Sequence, residues 1–485
     1  MSKFQRIEFY KNKIKEYSLL PFRFEPLSGN NYVVTNLAGE HLIIPRDALE
    51  DFVRHNLDCS SPYYINLRAK HFLTDDKTQI AKELLSIKLR TKYSVLSEFT
   101  GLHIFVVSLR CEHSCPYCQV SRQSDDKVKF DMSTEIADKS IDLALRSPSK
   151  NIKIEFQGGE PLLNFQLIKY IVVAAKSRAR DKALRFVIAT NLALINEEIL
   201  NFCKEHEILI STSLDGPKDL HNANRPRKGG DSYEKAVEGI QLARQRLGID
   251  AVSALMTTTK NSLGSVKAII DEYLKHSFAG IFLRPLSPYG FALKTKTYDA
   301  YDSEMWHKFH LEGLEYIIDL NRRGIEFREY YAATILTKIF TSQEPGYVDL
   351  MSPSGIGIGA IVYNYNGLVY ASDESRMLAE MGDTSFELGH VLTNSYEDIF
   401  LNPKLLDPIE ESFSYSVPMC NDCAFETYCG ADPVFHHGRY KDFIGRKPDS
   451  DFCTRNMKIF KYLIERMEAD SYVKKLFMSW AQPNA

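Results

Sequence analysis

Arg110-Cys111-Glu112-His113-Ser114-Cys115-Pro116-Tyr117-Cys118 directly follows the apolar run at residues 104–109. The spacing is C-x3-C-x2-C, on a loop at the end of what reads as a buried strand. Three thiolates on one loop can hold three irons of a four-iron cluster, leaving the fourth iron open to a substrate or cofactor. A closed zinc site wants a fourth protein ligand. His113 is the nearest candidate, though a tight loop makes its geometry awkward. A disulfide would leave one thiol over.

Outward from this loop, strand-like and helix-like segments alternate as far as residue 285. Six apolar runs read as buried strands: 104–109, 152–156, 185–189, 208–214, 251–256 and 281–283. Helical periodicity lies between them, at 134–146 and 233–247 among others. The second of these has Asp231 and Glu234 spaced as a capping box and Gly248 as a stop. Repeated βα units imply a parallel sheet with right-handed crossovers. The expected fold class is therefore α/β, an incomplete (β/α)6 barrel over residues 99–300. Its functional residues should gather at the C-terminal ends of the strands. The candidates there are Gln157-Gly158-Gly159-Glu160-Pro161, Thr190-Asn191, Ser213-Leu214-Asp215 and, a little further on, Arg225. Glycines at a strand end let the backbone approach a ligand closely, and a glutamate can pair with an ammonium group. The plain alternatives are a turn-forming asparagine and a surface arginine in an ion pair.

Ahead of the barrel, residues 1–98 read as a small module of an antiparallel meander (22–44) and helices (47–55 and 76–90). Behind it, residues 301–350 read as a helical bridge. Residues 351–460 begin with a hairpin at 357–373 that turns at Asn364-Tyr365-Asn366-Gly367. The same region holds Cys420, Cys423, Cys429 and Cys453, spaced C-x2-C-x5-C-x23-C. Four thiolates suit a structural zinc or a fully ligated iron–sulfur cluster, and zinc is the commoner use. An amphipathic helix at 461–485 closes the sequence.

The net charge of −3 gives no support for general nucleic-acid binding. No apolar run approaches a membrane span, and the first residues lack the apolar core of a signal peptide, so a cytoplasmic location is expected. Of nine cysteines, seven fall in the two clusters, which in a reducing compartment points to metal rather than disulfides. Cys59 and Cys203 read as small buried apolar residues.

The cysteine loop, with Tyr117 at the aromatic position, resembles the signature of the radical S-adenosylmethionine (SAM) superfamily. The resemblance implies a [4Fe–4S] cluster on Cys111, Cys115 and Cys118, and SAM on the open iron. It places Tyr117 near the adenine, and Gly158, Gly159 and Glu160 at the methionine amino group. Asn191, Ser213 and Arg225 fall at segments that contact the ribose and carboxylate. The reaction implied is reductive cleavage of SAM to a 5′-deoxyadenosyl radical, which takes a hydrogen atom from the substrate.

The C-terminal cysteines resemble part of the SPASM module of peptide and protein maturases, which holds two auxiliary [4Fe–4S] clusters. Three positions depart from that pattern. Gly367-x4 ends in Ser372, no cysteine precedes the hairpin, and Pro433 stands where another cysteine is expected. All three losses fall on the inner cluster, so one auxiliary cluster, on Cys420, Cys423, Cys429 and Cys453, is implied. Asp373 matches an aspartate assigned as the base in sulfatase-maturing relatives; the plain alternative is a loop aspartate. Over nearly its whole length the sequence resembles the B-type maturases of His-Xaa-Ser systems. That implies a peptide or protein substrate rich in His-Xaa-Ser repeats, a second radical SAM protein as partner, and an electron donor. Two other readings remain: a radical SAM enzyme acting on RNA or a small molecule, and a non-catalytic peptide-binding scaffold. Residues 1–98 would then capture an extended peptide at a sheet edge, or only cap the open side of the barrel.

Overall fold

The computed structural model describes residues 17–75 and 80–481. Its centre is an eight-stranded sheet that begins with five parallel strands in the order Val252–Leu255, Leu209–Ser213, Ala183–Thr190, Asn151–Gly158 and Leu102–Ser108. The last of these carries the sequence Leu-His-Ile-Phe-Val-Val-Ser, and six of its seven residues are buried. Alternate side chains serve opposite faces, as the two-residue period requires. Phe105 and Val107 join Ala137, Ile141 and Ala144 of the following helix, Thr134–Leu145. Ile104 and Val106 pack instead with Val362 and Tyr370.

That second face carries a contact the sequence did not suggest. The C-terminal hairpin, Ala360–Tyr363 and Leu368–Tyr370, extends the same sheet. Ala360 to Tyr363 run parallel to Leu102–Phe105 in register, and Glu387–His390 forms the far edge. The hairpin itself turns where expected, with Gly367 at φ 87°. The sixth expected strand is only Gly280–Ile281, and it pairs with Arg328–Glu329 in a separate two-stranded sheet. One backbone hydrogen bond, Thr258 N–H to Arg284 C=O at 2.9 Å, ties its continuation to the fifth strand. The α/β class stands, with five barrel strands in the ladder and the sixth held beside it.

The helices follow their periodicity. Ser232–Leu247 buries Ala236, Ile240 and Ala243, and Gly248 ends it at φ 102°. The capping box does not form, because Asp231 pairs with Arg227 instead. The bridge helices are Ser303–Arg322 and Tyr330–Phe340. They share one core with the helices Asp451–Ala469 and Ser471–Trp480. The expected boundary at residue 461 therefore falls inside a helix.

The N-terminal meander is Phe22–Pro26, Asn31–Asn36 and His41–Pro45. A helix at Pro62–Ala69, absent from the sequence reading, follows Arg46–Val53. The next helix, Ile80–Tyr93, is described from residue 80, so the expected start at 76 lies outside the described residues. The module docks on the second cysteine loop. Thr35 Oγ1 donates to Ala424 C=O at 2.6 Å, Tyr428 Oη to Gly39 C=O at 2.6 Å, and Arg23 Nη1 meets Glu426 at 3.0 Å. Cys203 is buried as expected, whereas Cys59 is exposed. No helix among the described residues is long and apolar enough to cross a membrane.

Candidate active site

At the end of the first barrel strand the chain is held before it reaches the cysteines. The buried Arg110 guanidinium makes a two-bond fork with Asp131, both at 2.7 Å, and also reaches Asp125 at 3.0 Å and Leu163 C=O at 2.9 Å. Such bidentate pairs fix orientation as well as adding energy. Beyond it, Ser114 N–H donates to Pro226 C=O at 2.8 Å, and Phe291 N–H to Cys118 C=O at 2.8 Å. The loop is thus tied at its root, middle and end.

Packing under the cysteine loop requires the two glycines of the second strand end. A Cβ on Gly158 would lie 1.9 Å from Ser108 O, and one on Gly159 would lie 2.3 Å from Arg110 O. They are glycines because the backbone under the cysteine loop leaves no room for a side chain. Glu160 likewise faces the protein. Oε1 accepts from Thr190 Oγ1 at 2.6 Å and Leu162 N–H at 3.0 Å, and Oε2 from Asn191 N–H at 2.9 Å. Burial, with Glu112 nearby, pushes its carboxyl up to about 8. Glu160 therefore stands behind the wall and braces the third strand end.

Cys111, Cys115 and Cys118 line one cavity of about 290 Å³ with Tyr117, Gly158, Gly159, Asn191, Ser213, Arg225 and Asp373. The strand ends supply one side. Asp373 arrives from the other, as first residue of the helix Asp373–Ala379 that follows the C-terminal hairpin. Its carboxylate meets Arg376 at 3.1 Å. Tyr117 Oη donates to Asp215 at 2.7 Å, and Arg225 grips the same carboxylate at 3.0 and 3.1 Å while covering the Tyr117 ring. Burial alone would push the Asp215 carboxyl up; the Arg225 guanidinium outweighs it and holds it down. Arg225 is therefore an ion pair in the cavity wall, 15% exposed, rather than on the surface.

Arg122 and Arg284 also line this cavity and were not singled out from the sequence. For Arg284 a signal existed: it follows the sixth apolar run directly, where barrel function is expected. The donor set fits an iron–sulfur group better than zinc. Cys111 Sγ, a Glu112 oxygen and a His113 nitrogen do lie within 4.8 Å of one another. Both His113 nitrogens are engaged, however, one with Glu112 and Asn191 and the other with Ser232 at 2.8 Å. Three thiols on an open cavity remain. Burial raises the Cys111 thiol and pushes Cys115 up to about 12, so ligation would release protons.

The other four cysteines lie near one another. Cys420 and Cys423 lie on the loop under the N-terminal module, Cys429 follows the turn Glu426–Tyr428, and Cys453 sits in the first turn of Asp451–Ala469. Burial raises all four thiols, and Cys429 feels the charge of each of the other three. Ser372 and Pro433, two of the positions expected to depart from the SPASM pattern, stand at helix starts. Ser372 accepts from Ser375 N–H at 3.2 Å and Pro433 opens a helix capped by Asp432. Asp349, Glu374 and Asp432 line a neck of about 30 Å³ there, with Arg284 and Tyr347.

Residues 105–272 match the family model described as the radical SAM superfamily. That segment is similar to a radical SAM domain. Among curated relatives, an uncharacterized protein of Methanocaldococcus jannaschii is 37% identical over 177 residues, 36% of this chain and 58% of that protein. The chain thus spans less than two thirds of that relative. The cysteine-type anaerobic sulfatase-maturating enzyme of Clostridium perfringens (strain 13 / Type A) is 23% identical over 389 residues, 76% of this chain and 97% of that enzyme. Two solved structures share the fold. Native anSMEcpe with bound AdoMet superposes at TM-score 0.64 and 18% identity, covering 78% of this chain and 99% of its own. Streptococcus suis SuiB bound to precursor peptide SuiA superposes at 0.53 and 14%, covering 90% and 99%. The segment that matches the radical SAM model is therefore set in a chain whose C-terminal hairpin extends its sheet, and the helix after that hairpin lines its cavity.

Proposed function

We propose that this radical SAM protein modifies a peptide or protein substrate. The observation that carries the reading is the shared cavity, in which Asp373 of the C-terminal region faces the three cysteines of the barrel loop. Bound SAM and its cluster would supply a 5′-deoxyadenosyl radical, which removes a hydrogen atom from the substrate. Cys111, Cys115 and Cys118 would hold that cluster. Gly158 and Gly159 seat the loop, and Tyr117, Asn191, Ser213 and Arg225 would bind and orient SAM from the cavity wall. Asp373 would take a proton from the substrate side chain. Arg376, its partner at 3.1 Å, keeps that carboxylate aimed.

Cys420, Cys423, Cys429 and Cys453 would hold one auxiliary [4Fe–4S] cluster. Sulfurs on a tetrahedral zinc lie roughly 3.8 Å apart. Among the described residues, no three of these four thiols gather within 4.8 Å, which favours the larger group. The sulfatase-maturating relatives and the peptide-bound SuiB structure support a peptide substrate. The finer reading is a His-Xaa-Ser repeat protein, modified together with a second radical SAM protein and an electron donor. It rests on residues 110–123, the Gln157–Pro161 turn and the Cys420–Phe425 segment. Residues 1–98 would take part in recognition; among the described residues, the outer meander strands are paired on one side only. The test is anaerobic reconstitution followed by assay of 5′-deoxyadenosine and mass spectrometry of a co-expressed His-Xaa-Ser peptide. Deoxyadenosine without any mass change in peptides would turn the reading toward an RNA or small-molecule substrate. No deoxyadenosine at all would leave a scaffold.

A further inference from the structure

A second cleft lies apart from the cavity that holds the cysteines. It measures about 400 Å³ and lies between the segment after the sixth barrel strand and the two C-terminal helices that begin at Pro433 and Asp451. Arg439 and Arg455 line it, and neither has an ion-pair partner among the described residues. Each guanidinium instead lies over aromatic rings, Arg439 over Tyr298 at 5.3 Å and Arg455 over Trp306 and Phe452 at 5.7 Å. Rings that hold the flat faces leave the donor edges free for a carboxylate fork. Trp306 is 1% exposed, and its Nε1–H finds no acceptor; Arg455 Nε is also buried without one. Buried donors are nearly always satisfied, so two orphans in one wall point to a missing acceptor.

Three aspartates share the cleft and must be accounted for. Asp302 accepts from Met305 N–H at 2.8 Å as a helix cap, and Asp451 accepts from Ser303 Oγ at 3.1 Å at the start of its own helix. Asp299 stands on the exposed rim. None of them meets an arginine of the inner wall. The cleft shares Pro285, Leu286 and Arg455 with the narrow neck, and the neck shares Arg284 with the cysteine cavity. Its distance from the chemistry thus suits an anchor rather than a reacting group.

We propose that this cleft anchors a carboxylate side chain of the peptide substrate, gripped by Arg455 and Arg439 outside the reacting position. The identity of the ligand rests on the peptide-modifying reading; the test does not. Fluorescein-labelled Ala-Glu-Ala-Glu-Ala and its glutamine twin are titrated into holoprotein without reductant, and anisotropy is read. The glutamate peptide is expected to bind about tenfold more tightly than its twin. Arg455→Gln should abolish that difference, and Arg439→Lys should reduce it by about threefold. Glutarate, a free acid with the same carboxylate, should compete at least about tenfold more weakly than unlabelled peptide. Equal binding of the two peptides overturns the proposal, as does an unchanged preference in Arg455→Gln at full iron content. Glutarate binding as tightly as the peptide would make this a small-acid site and overturns it too. Should Arg455→Gln lose its iron, Arg439→Gln on the exposed rim decides by the same comparison. A protein that prefers the acidic peptide yet modifies none keeps the anchor and loses the catalytic reading.

Discussion

The two cysteine regions are built on opposite plans. The first loop hangs from the end of a parallel strand, braced by the Arg110–Asp131 fork and two glycines with no room for a side chain, and its thiols open onto a cavity. The second brings four thiols together, one more than the first. Its loop is covered by the N-terminal meander through Thr35, Arg23 and Tyr428, and its thiols line none of the described cavities. An open cysteine set invites a ligand on the metal, whereas a set of four thiols serves structure or electron transfer. Chemistry should therefore depend on the first absolutely and on the second by degrees.

Cys111→Ala should break the comparison most severely. Removing one of three ligands is expected to lose about four of roughly eight irons per chain and to abolish 5′-deoxyadenosine formation. Iron analysis and chromatography of the nucleoside read both. Retained cleavage would mean that the open cavity is not where SAM reacts. Asp373→Asn comes next. If the carboxylate is the base, modified peptide should fall about a hundredfold while deoxyadenosine continues to form. An unchanged product yield would return Asp373 to its ion pair with Arg376 as a local contact. Cys429→Ala should lose the other half of the iron, about four per chain, and still cleave SAM. One zinc in place of those irons would make the four-cysteine site structural.

Much of this was legible because two periodicities and one spacing agree. The strand at Leu102–Ser108 and the helix at Thr134–Leu145 declare themselves by burial pattern, and C-x3-C-x2-C marks the loop between them. What stayed hidden was long-range. Nothing local in residues 360–363 says that they pair with the first barrel strand, because short apolar runs carry no label for their partner. The sixth strand was overread for the same reason: three apolar residues fit a buried strand, a loop or a helix end alike. Glu160 reads as a ligand from its place at a strand end, and the Thr190 hydroxyl and two backbone N–H groups that meet its carboxylate are contacts no local pattern announces.

The smallest expected effect concerns the neck lined by Asp349, Glu374 and Asp432. Burial, with Asp349 and Asp373 nearby, pushes the Glu374 carboxyl up to about 7 from its ordinary 4.5, despite Arg284 at 3.7 Å. In the unfolded chain the same group ionises near 4.5. The folded protein therefore holds a proton that the unfolded chain releases, and stability declines as pH rises from about 4.5 to about 7, then levels off. Asp349 and Asp432 are raised by burial as well, so Glu374 accounts for part of the slope. Glu374→Gln keeps the shape and removes the titration. The drop in Tm between pH 5 and pH 8 should shrink by about 2–4 °C in that variant, the scale set by one shifted group in a large domain. An equal drop in both proteins would mean that Arg284 keeps Glu374 ionised throughout. The neck would then be a fixed ion pair, and its carboxylates would cost the fold nothing at neutral pH.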